Sequence, residues 1–167
     1  MIADSDFTWA SSLGAGVALF LGWGLLNIVI GLVAPFAIAS EMPPGGILVL
    51  SPRADAAAFG GEPSELVRAT PALRELQRVI FYWLAGALVG FGSLVLAVTW
   101  FGLRRGEPWA LSVLALCWLV TLVAFGGLFK RYADLGASLS LADLPPLFHY
   151  PAFLVTPAIA LSWLGLR

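Results

Sequence analysis

The sequence predicts an all-α integral membrane protein: four transmembrane helices in an antiparallel bundle, with a long, partly helical amphipathic loop between the first two. Three observations carry that reading. Of 167 residues, 60% are hydrophobic and only 11% charged, and the mean hydropathy of +0.92 lies far above that of an ordinary soluble domain. Stretches without Asp, Glu, Lys or Arg cover residues 7–40, 79–103, 108–129 and 144–166, and each reaches the roughly 20 apolar residues that cross a bilayer core. Those stretches are apolar on every face, whereas a barrel strand alternates apolar with polar over about 10 residues. The chain reads as one four-helix domain, residues 1–167, with no repeat or second domain.

The first span is expected over residues 11–38. Asp4 and Asp6 stand ahead of it where a secretory leader carries Lys or Arg, so the segment reads as a retained helix. Pro35 predicts a stop near its end, because proline deletes a helical hydrogen bond.

The long loop, residues 41–77, opens with MPPGG and continues as ILVL, a short strand or a dip into the interface, before turning through SPRADAAAFGGEP. An interfacial helix is expected at about residues 64–77. Ser64 is its candidate N-cap, and Thr70 followed by Pro71 is a second start signal. Leu66, Leu73 and Ile80 recur every seven residues with Leu76 between them, which makes the segment amphipathic and places it on the membrane surface. Arg74 and Arg78, one turn apart, are candidate headgroup contacts; the plainer reading is arginines snorkelling at a helix end.

The second and third spans, residues 78–103 and 108–129, are joined by RRGEP, which allows only a tight hairpin and makes them antiparallel neighbours. Pro108 suits the first turn of the third helix, where its missing N–H leaves nothing unpaired. The fourth span is expected over residues 146–166, kinked at Pro157.

With four spans, both termini and RRGEP share one side. Lys and Arg then divide three against six in favour of a cytoplasmic long loop, although the compact RRG turn argues the other way, and the termini side stays open. Trp9, Trp100, Trp109 and Trp163 form one aromatic belt, and Tyr82, Trp83, Tyr132 and Tyr150 the other. Arginine outnumbers lysine eight to one, as in GC-rich bacterial genomes, and the bacterial cytoplasmic membrane is the expected location.

Chemistry is sparse. The single cysteine, Cys117, excludes an intrachain disulfide, and no Cys/His cluster offers a metal site. No paired carboxylates or nucleophile with a positioned base stand in the spans, so no catalytic residue and no enzyme activity is expected. A net charge of -1 without a basic stripe excludes nucleic acid. His149, the only histidine, is the candidate axial ligand to a haem or a magnesium pigment, set against an interfacial residue bonded to loop or headgroups. Trp23, Asn27, Trp118 and Thr121 are candidates for a flat pocket holding a quinone, isoprenoid, pigment or lipid. The alternative is that they bond to one another or to backbone and fill the bundle core. Asn27 in particular is placed to accept from the Trp23 indole.

Gly86 and Gly90, four apart in GALVG, are the candidate helix-packing pair, followed by Gly92, Ser93 and Ala97; the first span carries Ser12, Gly16, Gly22, Gly24 and Gly31. The expected function is that of a non-catalytic accessory subunit of a membrane complex or a self-associating bundle. Its partners are then the lipid bilayer and other membrane subunits or itself. The alternative is binding or transport of a lipophilic small molecule.

Overall fold

The computed structural model describes residues 7–39, 47–140, 143–144 and 146–167; the side chains of residues 37–39 and 146–149 lie outside that description. The described residues form helices and no strand. In order they are α1 (Ser12–Ala39), α2 (Pro52–Phe59), α3 (Pro63–Ala69), α4 (Pro71–Phe101), α5 (Pro108–Asp134) and α6 (Pro146–Gly165), with a 3-10 turn at Leu103–Arg105 between α4 and α5. Three segments, Ser12–Phe36, Pro71–Arg105 and Pro108–Asp134, are long and apolar enough to cross a membrane, and Tyr150–Gly165 is a shorter apolar helix.

Small residues set how closely α1 approaches its neighbours. A Cβ on Gly24 would lie 3.0 Å from the Gly92 carbonyl oxygen of α4, and one on Gly31 would lie 2.8 Å from the carbonyl oxygen of Ala85. Advancing along α1 means retreating along α4, so the two are antiparallel. The same holds for α6: Gly16 faces Ser162 and Ala158, while Gly165 faces Leu13. Side chains at such positions would hold the backbones apart, which is why Gly, Ala and Ser mark the contact lines. Around these lines Val17, Phe20, Trp23, Val95, Leu114, Val155 and Ala158 form a buried cluster. Large side chains facing away from it, among them Leu32, Phe36, Val123 and Phe153, stay exposed, so the helices are apolar all round as a lipid-facing chain requires.

Phe7 and Arg167, the first and last described residues, lie beside the α4–α5 hairpin. The Arg104 guanidinium stands 4.5 Å over the Trp100 ring and 5.5 Å over Phe7, and that of Arg167 stands 4.8 Å over Trp163; each cation gains from the face of an aromatic ring. Gly106 closes the hairpin at φ 75°, a left-handed conformation for which glycine carries no Cβ penalty. Pro108 opens α5 as its first residue.

Several local expectations are corrected. The SPRADAAAF turn is a helix, α2, whose N-cap Ser51 accepts a hydrogen bond from the Ala54 N–H and whose Gly60 cap is left-handed. Residues 47–50 form no strand, because the amide groups of 48–50 are taken by the Asp55 carboxylate. The single interfacial helix over residues 64–77 is two pieces: α3 begins at Pro63 with Glu62 at its cap, not Ser64, and the chain breaks at Thr70. Pro71 has no N–H to continue α3 and starts α4, which then runs unbroken to Phe101. At about 1.5 Å per residue the 31 residues of α4 exceed a roughly 30 Å hydrocarbon core, so its charged first turns project beyond it. Nor does Pro35 end α1, which continues to Ala39; a spanning helix tolerates one freed carbonyl where neighbouring helices support it.

Candidate functional site

Among the described residues, two places combine polar chemistry or open volume. The first is a polar clasp at the end of the molecule opposite the hairpin, built from α2, the C-terminal turns of α5 and the α5–α6 connection. Its sequence origin is the Ser51–Pro52 start of α2, which fixes the helix so that Arg53 and Asp55 leave its first turn in different directions.

Asp55 is fully buried. Its Oδ2 accepts the Leu48 and Val49 N–H groups at 2.6 and 3.0 Å, and its Oδ1 accepts that of Leu50 at 3.2 Å. The Tyr132 hydroxyl donates to the same Oδ1. Leu50, Ala54, Tyr132 and Ala137 close over this group as a small apolar cluster.

Asp143, 4% exposed, is held from two sides. Arg53 grips it in a fork, Nε to Oδ1 at 2.8 Å and Nη2 to Oδ2 at 2.6 Å, the bidentate geometry that suits guanidinium to carboxylate. Ser140 adds its N–H at 2.8 Å and its hydroxyl at 2.7 Å. These donors, the Arg53 fork first and Ser140 second, hold the Asp143 carboxyl well below the usual carboxylate range, and the same pairing raises Arg53. Each carboxylate therefore has at least four donors, as a buried anion requires. With the lone pairs occupied, the clasp is built to hold the loop against α5.

The second place is a groove of about 380 Å³ between α5 and α6 at the hairpin end, lined by Pro108, Leu111, Ser112, Ala115, Ile159, Trp163, Leu166 and Arg167. Its walls are one face of each helix, with spacings of three and four residues. Ser112 returns its hydroxyl to the Pro108 carbonyl at 3.2 Å, which leaves Arg167 as the charged group of the lining.

Trp23 and Trp118 meet edge-to-face with ring centroids 6.2 Å apart, and Phe91 packs on Trp23 at 5.2 Å. Asn27 is buried one turn on and donates through Nδ2 to the Trp23 carbonyl at 2.8 Å, so its amide caps helix backbone where acceptance from the indole was expected. Thr121 likewise donates to the Cys117 carbonyl at 2.8 Å within its own helix. Arg78 pairs with Glu75 at 2.8 Å on the exposed side of α4, and Arg74 is half-buried on the same helix. Gly86 and Gly90 face open space. The backbone of His149 belongs to α6, and its side chain lies outside the described residues. Tyr132, expected in an aromatic belt, is instead buried against Asp55. Among the described residues no group of three His, Cys, Asp or Glu is placed to hold a metal.

Sequence reasoning did not single out Arg53, Asp55 or Asp143 as site residues, and it put Tyr132 in a belt. A signal for α2 was present in Ser51, Pro52 and Gly60, a cap, a first-turn proline and a left-handed stop. Nothing local pairs Arg53 with a residue 90 positions away. No family model, curated protein or solved structure matches the chain.

Proposed function

We propose that this chain is a non-catalytic integral membrane protein of four spans, with α6 as the fourth, that works by packing against other membrane chains, as a subunit of a larger assembly or as a self-associating bundle. One observation carries the reading. Gly16, Gly24, Gly31 and Gly92 are each occupied by a neighbouring helix of the same chain, whereas Gly86 and Gly90 meet nothing within 4 Å. Internal packing thus accounts for the first group; Gly22, Gly126 and Gly127 also meet nothing, and it is the GALVG pair that exposed Ser93 and Ala97 continue into an outward strip along α4. In lipid such a strip favours a second helix, since close backbone approach is the main source of association between apolar helices. The membrane is proposed to be the bacterial cytoplasmic one.

The test is disulfide crosslinking in native membranes. In a Cys117→Ser background, Ser93→Cys and Ala97→Cys are expected to crosslink to a second chain or a partner, and Phe153→Cys, lipid-facing on α6, is not. A monomeric particle in mild detergent without copurifying polypeptides, together with crosslinking at residues 93 and 97 no greater than at 153, would discard the proposal.

A further inference from the structure

We infer that the groove between α5 and α6 holds one acyl chain of an anionic phospholipid, with the lipid phosphate taken by Arg167. The inference rests on the membrane placement of α5 and α6 proposed above and is independent of association through α4.

The volume comes first. About 380 Å³ is within the size range of small-ligand sites, and a void of that size cannot stay empty where lipid has access. Leu111 and Ala115 on α5, Ile159 on α6 and Leu166 just past its end make walls that offer a hydrocarbon chain dispersion contacts and offer a polar solute almost nothing. From Pro108 to Ala115 the wall rises about 10 Å along the helix axis, enough for a chain segment and too short for a helix. The polar group on this wall, the Ser112 hydroxyl, is turned back to its own backbone.

Charge then selects the headgroup. Arg167 lines the same groove as Trp163 and stacks over its ring at 4.8 Å, so the guanidinium is held at the aromatic belt, the depth at which lipid phosphates lie. Of the residues lining the groove Arg167 alone is charged, so its rim carries a guanidinium and no acidic side chain. An anionic headgroup above an apolar slot is the complementary shape, and a guanidinium fork binds phosphate oxygens in pairs. A zwitterionic lipid fills the slot equally well but brings a choline cation to the same rim.

Detergent-purified protein is exchanged into vesicles of phosphatidylglycerol and phosphatidylcholine in equal amounts, and the lipid retained on release is measured by native mass spectrometry. The wild type is expected to keep phosphatidylglycerol over phosphatidylcholine by about five-fold, the preference one interfacial arginine supports. Arg167→Gln should bring the two lipids level, and Ala115→Phe, which fills the slot, should abolish retention of both. Should Ala115→Phe fold poorly by circular dichroism, Ser112→Leu, on the same exposed wall, replaces it. Millimolar inorganic phosphate should leave retention unchanged; displacement by it would assign Arg167 to a free anion and overturn the lipid reading. Equal retention of the two lipids by the wild type, or retention insensitive to filling the groove, would also overturn it while leaving the membrane placement intact. Release of the protein from membranes by alkaline carbonate would remove both.

Discussion

A Cβ built on Gly92 would lie 2.5 Å from the carbonyl oxygen of Gly24, and one built on Gly90, half a turn away on the same helix, would meet nothing within 4 Å. Two glycines of one helix thus carry opposite requirements. Alanine at position 92 forces α1 and α4 apart along a line where backbone opposes backbone, and the expected loss is about 1–3 kcal/mol, as for other overpacked contacts. At position 90 the same methyl meets no atom of this chain, and the stability of the monomer is expected to stay within about 0.5 kcal/mol or to rise through helix propensity. Titration into dodecyl sulfate followed by circular dichroism measures both. The prediction fails if the two variants shift alike.

That pair also marks how far the sequence can be read. The apolar runs, the hairpin at Gly106 and the first-turn Pro108 follow from composition and from the chemistry of single residues; the structure has a helix in each run among the described residues, a left-handed turn at Gly106 and Pro108 as the first residue of α5. The glycine positions were visible too, but which face each takes depends on the rotation of α4 about its axis. In a helix apolar on every side no amphipathic pattern fixes that rotation. The long loop was harder for a different reason. Its helix α2 is stabilised by Asp55 and Asp143, whose partners Tyr132 and Arg53 lie 77 and 90 positions away, and a carboxylate amid loop residues reads as a surface charge until those partners are known. Tyr132 was assigned to a belt because interfacial tyrosines are common there; a buried acceptor outranks that preference.

Loss of the Tyr132 hydroxyl should loosen the loop without disturbing the long helices. Tyr132→Phe removes one donor to the buried Asp55 carboxylate but leaves its three amide donors, and the expected cost is about 1–3 kcal/mol, felt locally. Asp55→Asn should cost more, since it replaces the charged acceptor of all four donors and turns an amide N–H toward them. Hydrogen exchange at Leu48, Val49 and Leu50 reads the effect: protection falls in both variants, further in Asp55→Asn, while the amides of α1 exchange as before. Unchanged protection in Asp55→Asn would rule out the clasp as the anchor of this segment.

The Arg53–Asp143 pair gives the loop an acid limit. Because the Arg53 fork and Ser140 lower the folded Asp143 below its ordinary value, near 3.9 in an unfolded chain, the folded state binds fewer protons. The stability it contributes is complete above about pH 4 and is lost as pH falls toward the lowered folded value. Docking of α2 should therefore be flat from neutral pH to about pH 4 and weaken below it, and Asp143→Asn should be less stable at neutral pH with that acid dependence removed. Arg53 is itself largely solvent-exposed, so added salt is expected to reduce the effect. Limited proteolysis across residues 52–69 as a function of pH follows it, and an acid profile identical in wild type and Asp143→Asn would assign the transition to another group.

The indoles of Trp23 and Trp118 meet at 82° with centroids 6.2 Å apart, and this contact separates a core from a ligand slot by experiment. Both rings are buried, with Phe20 and Phe91 against Trp23, so Trp118→Ala opens a large void between α1 and α5. If the rings fill the interior, the variant should lose about 3–5 kcal/mol, and Trp118→Phe should recover much of it by restoring aromatic area. Trp109→Ala, half-exposed at the hairpin end, should lie within about 1 kcal/mol of the wild type. A ligand slot gives the opposite signature: Trp118→Ala keeps its stability in lipid-depleted detergent and loses a quinone, isoprenoid or pigment that the wild type retains. Stability in dodecyl sulfate and solvent-extractable small molecules, measured on the same three variants, decide between them. The packed arrangement of four aromatic rings leads us to expect the stability loss.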